Sequence, residues 1–172
     1  MKEKLRCGET HYGDSPYRSD VHGILLHGRR GRLLSVLYTA GGEGLHPAVL
    51  LLHSIPGCEK NIDLAQDLRR AGFHVLMFHY SGSWGSDGDY ALAHNLEDAE
   101  TALDFILSDE KYGFDKNRIY AIGHSLGGFA CGQLSAKRAG GTQFRSVRWP
   151  TDHFLSDYRL KTSETVLEFL KS

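Results

Sequence analysis

Cysteine, charge of one sign and long apolar runs are all scarce in this chain of 172 residues, and each scarcity excludes something. The three cysteines, Cys7, Cys58 and Cys131, are odd in number, widely separated and in no CxxC pair. That spacing argues against a disulfide framework or a zinc site and reads as reduced thiols. Lys plus Arg total 20 against 21 for Asp plus Glu. No field of one sign is therefore available, and neither nucleic acid nor an anionic membrane is an expected partner. No apolar run approaches the roughly 20 residues of a membrane span, and residues 1–20 lack the apolar core of an ordinary signal peptide. A cytoplasmic location is the expectation. Ten histidines are present, but none falls in an HxxxH or HExxH grouping, so no metal or cofactor is expected. The loop Ser81–Tyr90, SGSWGSDGDY, has neither a lysine nor the GxxxxGK[ST] pattern, and reads as the lining of a substrate cleft rather than a phosphate cradle. No internal repeat or low-complexity linker divides the chain, which predicts one domain.

Glycine is plentiful, at 20 residues, and one stretch uses it pointedly. In RIYAIGHSLGGF, from Arg118 to Phe129, Ile119, Ala121 and Ile122 read as a buried strand and the residues after Leu126 as a helix. Gly123 and Gly127 frame Ser125 in the pattern GxSxG, the sequence of a nucleophile elbow. The chemistry explains the spacing. A serine hydroxyl held proud of a sharp turn needs neighbours without side chains two places either side, and a helix beginning there aims free backbone N–H groups at a reacting carbonyl. The N–H of Leu126 is one such donor.

The rest of the chain alternates. Val21–Leu26 and Arg32–Tyr38 flank HGRRG and predict an antiparallel hairpin at a sheet edge. Ala48–His53 is a nearly continuous apolar run, as in a strand covered on both faces. Asn61 is a candidate helix cap, with Ile62, Ala65 and Leu68 on one face and Gly72 as the stop. His74–Tyr80 is strand again. Asn95 opens a helix with Leu96, Ala99, Leu103, Ile106 and Leu107 as its apolar stripe. A short strand over Phe144–Trp149 ended by Pro150, then a closing helix carrying Leu160, Ser163, Val166, Leu167 and Leu170, complete the pattern. Alternation of this kind predicts an α/β three-layer sandwich, a mostly parallel doubly wound sheet with an antiparallel N-terminal hairpin and a site at the carboxyl ends of its strands.

Together these stretches resemble the α/β-hydrolase superfamily, in particular its small esterase and serine-aminopeptidase-like branch. LLLHSIPG, Leu50 to Gly57, is similar to that family's oxyanion loop, with Ser54 where glycine is usual; HYSGSWGSDGDY, GHSLGG and PTDHFLSDY resemble its fourth-strand loop, its elbow and its histidine loop. The resemblance implies a shortened α/β-hydrolase fold with no cap domain, in which Ser125 is the nucleophile, His153 the general base, and Ile55 and Leu126 give the oxyanion N–H groups. It departs from the family in one large respect. Ser125 and His153 are 28 positions apart, too few for the strands, helices and acid that the family places between them. Asp152 is the one carboxylate in that interval and a weak candidate for the acid; Asp157, Asp87 and Asp89 are no better placed. A Ser-His dyad without its acid retains part of its catalysis. The expected activity is a serine hydrolase of carboxylic esters or short amides on a small-molecule acyl substrate. The alternative is an impaired or non-catalytic domain of the same fold, its exposed edges covered by homo-oligomerisation.

Overall fold

The computed structural model describes residues 19–56, 61–138 and 158–171. The predicted strand over 144–149 and the loop carrying Asp152, His153 and Asp157 lie outside the described residues. Among the described residues five strands form one sheet: β1 (Asp20–Gly28), β2 (Gly31–Thr39), β3 (His46–Leu52), β4 (His74–Phe78) and β5 (Phe114–Gly123), in the spatial order β1-β2-β4-β3-β5. β1 and β2 are the expected hairpin, with Leu25 opposite Leu34 and Gly28 opposite Gly31, and β1 is an edge. β3 runs parallel to both β4 and β5. Four helices are described, α1 (Ile62–Arg70), α2 (Asn95–Ser108), α3 (Leu126–Arg138) and α4 (Arg159–Lys171). Among them none is long and apolar enough to cross a membrane.

Alternation along the strands sends successive residues into two separate cores. Ala48, Leu50 and Leu52 of β3 join Leu76 and Phe78 of β4 and pack against Ala99, Ala102 and Ile106 of α2 and Ala130 and Leu134 of α3. Val49 and Leu51, with Val75 and Met77, pack on the other face against Leu64, Ala65 and Leu68 of α1 and Leu170 of α4. The sheet is thus covered on both sides, which is why β3 reads as an unbroken apolar run. The chain leaving β3 goes to α1 on one face and the chain leaving β5 goes to α3 on the other. Neighbouring strands whose connections part in this way open a crevice between their carboxyl ends.

Several details differ from the sequence expectation. Asn61 is the N-cap residue of α1, as expected, and its carbonyl accepts the Ala65 N–H at 3.1 Å, but it sits in the left-handed region at φ 56° with no side-chain cap bond, its Oδ1 instead accepting a hydrogen bond from Arg159 of α4 at 2.9 Å. Asp63 puts negative charge in the first turn instead, and Arg159 donates to it as well. Ser163 of α4 adds a 2.7 Å bond to Asp67. Ile62 is 46% exposed, its place in the core taken by Leu64, and Leu107 and Leu160 also face solvent. Polar ties between the two helices therefore set the docking of α4 as much as its apolar stripe does.

At the amino ends of β3 and β4, away from the crevice, His46 and His74 stack with ring centroids 4.6 Å apart. His74 Nδ1 accepts the Ala40 N–H at 3.0 Å, which leaves Nε2 to donate to the Tyr112 carbonyl at 2.9 Å. Burial, and then the charge of His46 beside it, push the His74 imidazole down to about 4. An unfolded histidine binds its proton near about 6.5. Between these values the unfolded chain holds a proton that the native one refuses, so stability falls as pH drops through the window. Urea midpoints measured from neutral pH down to about 4 are expected to fall more steeply in the wild type than in His74→Asn; equal slopes would count against a buried neutral imidazole.

Candidate active site

The corner between β5 and α3 is built by backbone crowding. A Cβ placed on Gly123 would overlap the carbonyl of Gly127, and one placed on Gly127 would overlap the carbonyl oxygen of Leu52, with the His53 carbonyl oxygen at 2.7 Å. The first turn of α3 thus lies directly on the end of β3. Between the two glycines Ser125 takes φ 55°, a left-handed conformation uncommon outside glycine, and is exposed. The Gly127 N–H donates to the His124 carbonyl at 2.9 Å and the Phe129 N–H to the Ser125 carbonyl at 3.1 Å, closing the turn into helix. Leu126 is the first residue of α3, where an N–H has no partner within the helix and the helix dipole is positive.

Across the crevice the chain leaves β3 through His53, Ser54 and Ile55. His53 and Ser54 are buried, whereas Ile55 is 51% exposed. Ser54 does not take a positive φ, so the glycine usual at this place is not demanded by the backbone; its Oγ is buried and has no hydrogen-bond partner among the described residues. The His53 ring is held by Tyr80, Trp84 and His79, at centroid distances of 4.5, 5.1 and 5.8 Å. Its Nδ1 lies 2.6 Å from the Ser54 carbonyl oxygen. Trp84 itself adopts φ 43°, an outlier for so bulky a side chain.

The polar loop after β4 borders the same end of the sheet and is stitched in place. Asp98 of α2, buried, accepts both the Ser81 N–H and its hydroxyl at 2.8 Å. Ser83 Oγ donates to the Tyr80 carbonyl at 2.6 Å, and Ser86 Oγ bridges the His79 carbonyl and the Leu34 N–H. The Arg32 side chain and backbone N–H both bond Asp87 and hold its carboxyl down at about 2. The serines and aspartates that make this stretch look like a ligand loop are largely spent on tying it to α2, to β2 and to the backbone just after β4. Asp98 escapes a sequence reading that follows the apolar stripe; the one signal for it is a carboxylate immediately before Ala99.

Ser125 and Leu126 thus follow the carboxyl end of β5 and Ile55 that of its neighbour β3, while His153 and Asp152 fall outside the described residues. Asp87 is engaged by Arg32 and is a structural aspartate, which takes it off the list of acids. The Cys131 thiol is buried, donates to the Ala121 carbonyl at 3.2 Å and is pushed up to about 11 by that burial, so it is no nucleophile at neutral pH. Among the described residues no group of three or more His, Cys, Asp or Glu could hold a metal ion.

Comparison with known proteins agrees with this geometry. The family model described as alpha/beta hydrolase fold matches residues 47–146. Among solved structures, a putative alpha/beta hydrolase of unknown function from Agrobacterium tumefaciens is similar at 27% identity and TM-score 0.59, over 68% of this chain and 55% of that one. A serine hydrolase without a lid from Xanthomonas campestris is similar at 17% identity and TM-score 0.56, over 72% of this chain and 58% of that one. A hyperthermophilic esterase from the archaeon Pyrobaculum calidifontis is similar at 22% identity and TM-score 0.60, over 69% of this chain and 39% of that one. The chain thus spans between about two fifths and three fifths of these relatives. No curated protein sequence matches it.

Two glycines of α3 should respond oppositely to alanine. Gly127→Ala drives a methyl into the backbone of β3 and should cost about 3 kcal/mol or more, measured by urea denaturation. Gly132, mid-helix with none of the described residues within 4 Å of its Cβ position, should gain about 0.5–1 kcal/mol from alanine. A neutral Gly127→Ala would contradict the close approach.

Proposed function

As the chain belongs to the alpha/beta hydrolase fold family, we propose that it is a serine hydrolase that cleaves carboxylic esters, short amides included, through an acyl-enzyme on Ser125. The observation that carries this reading is the left-handed φ of Ser125 between two glycines that no larger residue can replace, at the end of a strand and the start of a helix. Strain of this kind, worth about 1–3 kcal/mol, persists where the surroundings enforce it and clusters at reactive sites.

In the proposed cycle Ser125 Oγ attacks the ester carbonyl carbon as its proton passes to His153. The carbonyl oxygen takes up the negative charge and is met by the N–H groups of Ile55 and Leu126. The C–O bond to the leaving alcohol then breaks, and the alcohol departs with the proton from His153. Water repeats the sequence to release the acid and restore the hydroxyl.

A second reading has its own support. Ser125 and His153 are only 28 positions apart, with Asp152 as the one carboxylate between them. A domain without the acid of a triad would be severely impaired or non-catalytic. The two readings part on hydrolysis of p-nitrophenyl acetate. Removing the nucleophile of a complete triad costs about 10⁶ in turnover and loss of the acid alone about 10⁴, so a dyad enzyme should lose about 10²-fold on Ser125→Ala. Equal rates for wild type and Ser125→Ala would favour the second reading.

A further inference from the structure

Arg159 of α4 grips the Asp63 carboxylate of α1 through Nε, at 2.8 Å, and through Nη2, and donates from Nη1 to Asn61 Oδ1 at 2.9 Å. One turn further along both helices, Ser163 donates to Asp67 at 2.7 Å. Contacts that advance together along two helices mean that the helices run in the same direction, N-terminus beside N-terminus. α1 leads back from the carboxyl end of β3 to the amino end of the parallel β4, so both N-termini stand at the end of the sheet that carries Ser125. The contact is made against local preference. Asn61, 4% exposed, holds a left-handed φ and forms no side-chain cap bond with its own helix. Burial works to raise the Asp63 carboxyl, but the Arg159 guanidinium outweighs it and holds the group below its ordinary value. A guanidinium that meets a carboxylate with two N–H groups fixes direction as well as distance, which an ammonium point charge does not.

The tie joins the ends of two loops that the proposed cycle uses. Ile55 precedes Asn61 by six positions, and His153 precedes Arg159 by six. A stretch of that length spans at most about 22 Å. We propose that Arg159 is a positioning residue: by fastening the start of α4 to Asn61 and Asp63 it sets where the loop bearing His153 stands relative to Ser125 and Ile55. This rests on the hydrolase reading above and adds to it the contact that aligns the base. Proton transfer between Ser125 and its base belongs to the transition state and not to substrate binding, so loosening the tie lowers kcat and leaves KM nearly unchanged. Docking of α4 as a whole depends also on its apolar stripe, at whose far end Leu170 is buried in the core.

Four variants and one double variant, assayed on p-nitrophenyl acetate, test it. Arg159→Ala is expected to lower kcat about tenfold with KM little changed, less than the 10² that a 1 Å misplacement can cost. Asp63→Asn is expected to lower kcat as well, and Arg159→Ala with Asp63→Asn to be no slower than Arg159→Ala alone. Arg159→Lys keeps the charge without the fork and is expected to recover about threefold of the loss. Leu170→Ala loosens the far end of α4, and is expected to lower the urea midpoint at least as much as Arg159→Ala while kcat stays within about twofold of wild type. Unchanged kcat in Arg159→Ala, additive losses in the double variant, or an equal loss of kcat in Leu170→Ala would each overturn the proposal. Should Arg159→Ala not fold, unchanged kcat in Asp63→Asn overturns it too. Wild-type turnover that does not depend on Ser125 would overturn the hydrolase reading and the proposal with it.

Discussion

The first turn of α3 lies backbone to backbone on the end of β3, and the architecture of the candidate site follows from that contact. Strands of one sheet stand about 4.8 Å apart, and β3 and β5 are direct neighbours with Leu52 opposite Gly123. A helix that starts at once after β5 has to pass over the last carbonyl groups of β3, and Gly127 is the residue that meets them. The chain can make so tight a corner only by bending at Ser125 into the left-handed region. Crowding therefore decides three things together: the two glycines, the strained serine, and the nearness of the β3 exit, with Ile55, to the N-terminus of α3.

Strain at Ser125, and again at Trp84, needs a rigid frame. The frame is the double core, in which Leu50, Leu52 and Leu76 on one face and Val49, Leu51 and Val75 on the other are almost wholly withdrawn from water. Around the crevice, polar residues take over. Asp98 holds the start of the β4 loop, Asp87 and Ser86 hold it to β2, and His53 and Tyr80 bond the carbonyls of the β3 exit. Groups held in advance need not reorganise as charge develops, which is what electrostatic stabilisation of a transition state requires.

Much of this was legible in the residues. The strands betray themselves because β3 and β4 are apolar on both faces, and the corner because GxSxG has a β-branched run before it and a helix after it. Other features resist such a reading. Asn61 looks like a helix cap because its type favours that place, but Arg159, nearly a hundred positions away, competes for its side chain. Ile62, Leu107 and Leu160 fit their helical stripes by spacing yet fall at helix ends, where the partner helix or sheet no longer covers them. His53 reads as an ordinary strand-end histidine, since nothing in the sequence tells which carbonyl its ring will find. Long-range pairing of polar groups depends on geometry that local patterning does not encode.

Hydrolysis at this corner requires that the Ser125 hydroxyl be chemically activated. A fluorophosphonate reacts with a serine only when a base draws off its proton and the phosphoryl oxygen is stabilised, so it probes both sides of the crevice without regard to the natural substrate. Incubation with a labelled fluorophosphonate followed by peptide mass spectrometry is predicted to give one adduct, on Ser125. An unlabelled protein, or label spread over other residues while Ser125 stays unmodified, would contradict the account.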